Sequence, residues 1–130
     1  MIEQTELLIS EWIYTPPATI GDTGEKITSY ISLDVMKKRA ATKKGIACRF
    51  TCKFVNGDET ILVYIGEDSY VIDLPDVIDK NEVLTMIRNS YSKFKEKFDF
   101  RKLGTVLQNK SMTALDESKI DVNAILPLLI

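Results

Sequence analysis

The sequence predicts an α+β fold, in which a four-stranded antiparallel sheet of hairpins is followed by one long helix and a short C-terminal helix. Two patterns carry this prediction. Apolar residues alternate with a period of two in the first half of the chain, and a helical stripe begins near residue 79. Strands first and helices last indicate an antiparallel sheet with helices on one face. The 130 residues, 45% of them hydrophobic, predict a single domain spanning 1–130.

The first strand is predicted over residues 5–14, because β-branched and aromatic residues dominate after Leu8. Both of its faces carry apolar groups, with Leu7, Ile9 and Ile13 on one and Leu8, Trp12 and Tyr14 on the other. A strand that is apolar on both faces is usually covered on both. We therefore expect the second face to be covered by another subunit or a bound polypeptide, or alternatively by loops and the C-terminal segment.

Three further segments read as strands. Residues 27–36 are apolar on one face and polar on the other, and residues 46–55 alternate without interruption from Ile46 to Phe54. Asn56-Gly57-Asp58 is typical of a tight turn, which leads to a partner strand at residues 59–65. Gly66-Glu67-Asp68-Ser69 reads as another turn, followed by a short strand or strand continuation at residues 70–74.

The main helix is predicted over residues 79–98. Asp79 and Glu82 have the spacing of a capping box. One helical stripe is formed by Val83, Ile87, Tyr91, Phe94 and Phe98. Residues 108–119 are polar and loop-like, and the apolar end of the chain predicts a docking segment or short helix from Asp121.

Composition argues against a hydrolase of the common types, although it leaves carboxylate chemistry open. The chain has no histidine, and so lacks the usual general base and metal ligand. The Cα atoms of Cys48 and Cys52 lie about 13 Å apart along the predicted strand, which is too far for a disulfide. Two cysteines are also too few ligands for a zinc site. We interpret them as buried thiols in a reducing compartment. We expect no metal, no cofactor and no enzymatic activity.

Acidic residues near the predicted turns are attributed to turn chemistry rather than to a catalytic carboxylate pair. They are Asp58, Glu59, Glu67, Asp68 and Asp73.

Charge and hydropathy indicate a cytoplasmic protein. The first residues carry Glu3 and Glu6 with no positive charge, unlike a signal peptide, and no apolar run approaches the ~20 residues of a membrane span. Lys+Arg 17 against Asp+Glu 19 makes a nucleic-acid partner unexpected. The basic clusters at 37–44 and 93–102 are interpreted as solvated surfaces.

The layout resembles the SecB family of bacterial export chaperones. The clearest part runs from Cys48 to Leu74, where two strands, a glycine-containing break and a short strand follow one another. Ile9 to Pro17 is similar to the first strand of that family, and Ile120 to Ile125 to its C-terminal element. The resemblance implies a dimer of dimers that holds unfolded polypeptide in an apolar groove, through apolar burial and strand-like contacts, without ATP.

Two features depart from that family. Residues 89–102 lack the Phe-Pro-Tyr-Ala-Arg-like stretch that opens its long helix. The polar face of the third predicted strand carries Arg49 and Lys53, where SecB proper uses an acidic sheet surface to dock the SecA motor. A SecB-like domain adapted to another client, such as a toxin–antitoxin or mobile-element protein, fits equally well.

The sequence therefore predicts a holdase that forms a homo-oligomer, either dimer or tetramer, and binds an unfolded polypeptide client. The candidate peptide-binding or subunit-interface residues are Leu8, Trp12, Tyr14, Tyr30, Leu62 and Tyr64. The alternative is a non-catalytic protein-interaction or nucleic-acid-associated module.

Overall fold

The structure, a computed structural model, describes residues 2–4, 7–16, 27–40, 43–73 and 79–129. Its strands are β1 (Ile2–Gln4), β2 (Leu8–Tyr14), β3 (Ile27–Ala40), β4 (Lys43–Asn56) and β5 (Glu59–Asp73). Two α-helices follow, α1 (Lys80–Arg101) and α2 (Val122–Ile125), with 3₁₀ turns at Glu117–Lys119 and Leu126–Leu129. The predicted α+β class is confirmed, and the three-residue strand β1 is an addition to it.

The sheet is antiparallel at every pairing. β5 lies in the middle, with β4 on one side and then β3, while β1 and β2 both pair with the other side of β5. The predicted turn between β4 and β5 is confirmed, and Gly57 has a φ of +60° there. Among the described strands, β3 therefore forms an edge of the sheet.

The predicted turn at residues 66–69 is wrong, because β5 runs through it without interruption. Gly66 does not have a positive φ. A Cβ atom at Gly66 would lie 2.7 Å from the ring of Phe94, so the glycine lets α1 approach the sheet closely. Asp68 is fully buried in β5, so turn chemistry does not explain it.

A bulge in β2 corrects the predicted faces of that strand. Ile9 pairs with Gly66 and Glu11 with Ile65, which leaves Ser10 as an extra residue. Residues on the two sides of the bulge therefore change phase. The side chains packed against the core are Leu7, Ile9, Trp12 and Tyr14, and those turned away are Leu8 and Ile13, 68% and 55% exposed.

A second bulge explains the consecutive apolar residues of β5. Phe54 pairs with Leu62 and Val55 with Thr60, so Ile61 is the extra residue. Ile61, Leu62 and Tyr64 are all fully buried within this one chain. Val63 and Ile65 of the same run are half-buried on the opposite face of the sheet.

Helix α1 covers one face of the sheet. Its predicted capping box is present, since the Asp79 side chain accepts from the backbone of Glu82 and the Glu82 side chain accepts from the backbone of Asp79. The helix runs three residues beyond the predicted end at 98. Its buried stripe packs on β4 and β5, and the rings of Tyr64 and Phe94 stack at 4.0 Å. The short helix capped by Asp121 is also confirmed.

Candidate functional site

A groove of about 600 Å³ lies between the edge strand β3 and the segment from Thr113 to Ile125. One wall is formed by the half-buried side chains of β3 that face the helix side of the sheet. The other wall is formed by the C-terminal segment. The apolar lining consists of Ile31, Leu33, Val35, Leu115, Ile120 and Ile125.

Hydrogen bonds hold the C-terminal wall in place. Thr113 Oγ1 donates to the carbonyl oxygen of Ser29, at 2.9 Å, and the Tyr91 hydroxyl donates to the carbonyl of Thr113. Farther along, Arg88 of α1 pairs with Glu117. These contacts fix the first part of the wall, from Thr113 to Glu117, to the sheet and the helix, so this side of the groove is preformed in this chain.

The mouth of the groove is polar and mildly acidic. Asp116 and Asp121 line it, with Lys119 as the single basic residue, whose Nζ lies 3.9 Å from Asp116. Hydrogen bonds from Ser118 lower the pKa of Asp116, so this carboxylate is charged at neutral pH.

The face of the sheet that α1 does not cover carries exposed apolar and charged side chains. Leu8 and Ile13 of β2 are exposed, and Val63 and Ile65 of β5 beside them are half-buried. Arg49 is exposed on β4, as predicted. The ladder places Arg49 between Asp34 and Glu67, so a row of alternating charge crosses three strands. We call this side of the sheet, with both its apolar and its charged residues, the outer face.

The structure separates the six predicted site residues. Leu62 and Tyr64 are fully buried under α1, and the Tyr64 hydroxyl donates to the carbonyl of Phe94 at 2.9 Å. Tyr64 is therefore part of the sheet–helix interface.

Trp12 and Tyr14 lie on the same side, covered by the end of α1 and the turn after it. The guanidinium of Arg101 lies 5.7 Å from the Trp12 ring centroid, and the Tyr14 hydroxyl accepts from the backbone of Val106. Only Leu8 and Tyr30 of the predicted set are exposed, at 68% and 58%. Leu8 belongs to the outer face, and so does Tyr30, which is in phase with Asp34 on β3 and also borders the groove.

A buried polar cluster joins β5 to α1. Ser90 Oγ donates to Asp68 Oδ2 at 2.9 Å and also bonds the Tyr70 hydroxyl, which donates to the carbonyl of Met86. Lys93 Nζ lies 4.0 Å from Asp68. Burial raises the pKa of Tyr70, so its hydroxyl stays protonated and can donate. The cluster fixes the helix on the sheet and is closed to substrates.

The two cysteines are free and buried, as the sequence predicted. Burial raises the pKa of Cys48 and of Cys52 to about 12, and Asp68 adds to the shift at Cys48. Both are therefore thiols rather than thiolates at neutral pH, which makes them poor nucleophiles and poor metal ligands.

A second hollow lies beside the end of α1, with a volume of about 740 Å³. Phe100 and Leu103 are exposed there, 78% and 60%, next to charges of both signs. The mixture does not favour one class of ligand.

Sequence reasoning missed the C-terminal wall of the groove. Residues 108–119 were predicted as a polar loop, although Leu115 within them packs on the core. The period-two pattern of β3 identified its apolar face, but the gap left beside that face depends on how far the C-terminal segment stands from the sheet. The two apolar residues Met112 and Leu115 in an otherwise polar segment were the available signal.

Within the described ranges, no three His, Cys, Asp or Glu side chains are grouped so that they could hold a metal ion. None of the described helices has both the length and the apolar character needed to cross a membrane.

Comparison with known proteins leaves the family open. No family model matches the chain, and no curated protein matches it. Among solved structures, a protein of unknown function from Streptococcus agalactiae is similar to it, with a TM-score of 0.46 and 10% identity. That alignment covers 89% of this chain and 97% of the other.

Proposed function

We propose that this protein is a cytoplasmic, non-enzymatic holdase of the SecB-like type, which binds unfolded or partly folded polypeptide in the groove between β3 and the C-terminal segment. The observation that carries the proposal is the preformed apolar groove beside a strand at the edge of the sheet. A concave, mainly apolar site with a polar mouth suits an apolar ligand segment.

The size of the groove sets the expected affinity. Full burial of one Leu or Ile side chain is worth about 1.5–3 kcal/mol, so two or three client side chains contribute on the order of 3–9 kcal/mol. Ordering the client opposes part of this gain. We therefore expect dissociation constants in the range of roughly micromolar to millimolar for one site. Such binding is reversible, as holding and releasing a client requires.

We also expect a homo-oligomer, dimer or tetramer, with the apolar part of the outer face between subunits. That part consists of Leu8, Ile13, Val63 and Ile65. Light scattering tests this expectation against the monomer mass of 14.7 kDa. A clean monomer would contradict it.

Suppression of aggregation tests the holdase. The purified protein is added to a chemically denatured client on dilution, and light scattering is followed over time. The variant Ala124→Trp places a large side chain at an exposed position in the groove lining. Asn89→Trp, on the exposed side of α1 and outside the groove, is the matched control.

We expect the wild type and Asn89→Trp to suppress aggregation equally, and Ala124→Trp to lose most of this activity at an unchanged melting temperature. Equal activity of the two tryptophan variants would place the client elsewhere. A wild type that leaves aggregation unchanged but retards DNA or RNA at low salt would favour the alternative, a nucleic-acid-associated module.

A further inference from the structure

The C-terminal end of α1 concentrates positive charge in a chain that is acidic as a whole. Residues 93–103 contain five basic and two acidic residues, a net charge of +3, whereas the full chain has a net charge of −2. Lys93, Lys97 and Arg101 follow one another at intervals of four residues, so they lie along one side of the helix. All three line the second hollow, beside Ile9 of β2.

Ion pairs separate the charges that the lining of this hollow mixes. The Asp99 carboxylate is shared by two lysines, with Lys95 Nζ at 3.9 Å and Lys102 Nζ at 3.4 Å from its oxygens. Among the described residues, neither Glu96 nor Lys97 forms an ion pair. Two lysines for one carboxylate leave positive charge in excess beside the hollow after the pairs have formed.

Two large apolar side chains protrude next to this charge. Phe100 is the most exposed large apolar side chain of the described residues, and Leu103 is also exposed. Both border the hollow, and Phe100 lies three residues after Lys97, so the ring and the cation are neighbours on the helix surface. We call this surface the α1 tip; it consists of Lys93, Lys97, Phe100, Arg101 and Leu103.

The protruding apolar groups favour a membrane among the possible negatively charged partners. Apolar side chains that stand out from a surface enter the boundary between headgroups and acyl chains without a preformed pocket, and neighbouring cations reach the lipid phosphates. A folded acidic protein would need a pocket of matching shape for each side chain. Single-stranded nucleic acid is held by stacking on aromatic rings, and Leu103 offers none.

We infer that the α1 tip binds the surface of an anionic lipid bilayer. Phe100 and Leu103 insert among the headgroups, and Lys97 lies against the lipid phosphates. The inference goes beyond the proposed function and does not rest on it, because the groove lies at the β3 edge of the sheet and the α1 tip lies beside β2. Two apolar side chains with a few cations attach a protein peripherally and reversibly.

Co-sedimentation with lipid vesicles tests the inference on the full protein. The vesicles contain phosphatidylglycerol and phosphatidylcholine in equal parts, and neutral vesicles contain phosphatidylcholine alone. Lys97→Glu reverses one charge of the α1 tip. Lys80→Glu is the matched control, because it changes the net charge equally at the exposed start of α1. The two positions are about 26 Å apart along the helix, well beyond the screening length of about 10 Å at 0.1 M salt.

We expect the wild type to bind the anionic vesicles at least about tenfold more tightly than the neutral ones. Lys97→Glu should weaken this binding by about tenfold or more, because it changes the charge at the membrane by two units. Lys80→Glu should weaken it by less than about threefold. Phe100→Ser should weaken it by about tenfold at an unchanged melting temperature, since the ring is exposed in the free protein.

Tryptophan fluorescence measures insertion directly. The chain has a single tryptophan, the partly buried Trp12, so the wild type supplies the baseline. The emission of Phe100→Trp should shift to shorter wavelength with anionic vesicles and not with neutral ones, because the new ring leaves water. An emission that does not shift would overturn the inserted geometry.

Three outcomes of the sedimentation experiment would overturn the membrane contact. They are a wild type that does not bind anionic vesicles, equal binding to both kinds of vesicle, and equal losses in Lys97→Glu and Lys80→Glu. A wild type that binds polyuridylate through Lys97 but binds no vesicle would assign the α1 tip to nucleic acid instead.

Discussion

Gly66 tests the packing of helix and sheet most directly. Its sequence context suggests a turn, whereas the structure places it within β5 beneath Phe94. A Cβ atom at this position would lie 2.7 Å and 2.9 Å from two ring carbons of Phe94, closer than nonbonded atoms approach. The ring is fully buried and stacks on Tyr64 at 4.0 Å, so it has little room to move. The substitution Gly66→Ala should therefore destabilise the protein.

Two opposing terms set the change in the free energy of unfolding caused by Gly66→Ala. Overpacking a close-packed core costs about 1–3 kcal/mol. Alanine recovers about 0.5–1 kcal/mol that glycine loses in chain entropy within a strand. The net loss falls between about 0 and 2.5 kcal/mol, and its midpoint, about 1.2 kcal/mol, corresponds to a fall of roughly 5 °C in Tm for a domain of this size. Urea unfolding followed by circular dichroism measures the free energy of unfolding.

A double-mutant cycle identifies the cause. In the Phe94→Leu background the ring is replaced by a smaller side chain that lacks Cε1 and can turn its Cδ atoms away, so adding Gly66→Ala should cost less than it does beside Phe94. Gly57→Ala is the control, because Gly57 has a φ of +60° and nothing within 4 Å of its Cβ position. Its destabilisation comes from backbone strain and should persist in both backgrounds. A Gly66→Ala variant as stable as wild type, or one that Phe94→Leu does not rescue, would refute the reasoning.

Three further predictions follow from the buried polar groups and the helix cap. Ser90→Ala removes a donor to the buried Asp68 and should cost about 1–3 kcal/mol in urea unfolding, whereas a loss under ~0.5 kcal/mol would show the bond to be dispensable. The raised pKa values of Cys48 and Cys52 mean that the unfolded chain releases these protons first, so the thiols' contribution to stability should be constant below pH 9 and fall between about pH 9 and 12. The free energy of unfolding should fall by up to about 1.4 kcal/mol per pH unit for each thiol, and by less in the double variant Cys48→Ala/Cys52→Ala. A stability that does not change up to pH 11 would contradict this prediction. Asp79→Ala removes the N-cap of α1 and should lower stability by about 1 kcal/mol, while Asp79→Ser should retain most of it.

The side-chain orientations on β3 could be predicted from the sequence, whereas those on β2 could not. The alternation of β3 correctly placed Ile31, Leu33 and Val35 on one face. Trp12 and Tyr14 were predicted to lie with Leu8, because a strict period of two does not reveal the extra residue at Ser10. A bulge is set by pairing with the neighbouring strand, and its local sequence signal is weak.

The sequence by itself determined the class and order of the elements. Period-two alternation, the Asn56-Gly57 turn and the Asp79 capping box are local features, because each depends on the conformation of a few neighbouring residues. Tertiary structure decided the rest. It made Gly66 a packing residue, buried Asp68 against Ser90, and left a groove between β3 and the C-terminal segment. These properties depend on contacts between residues distant in the chain, whose separation in space follows from how helix and sheet pack together.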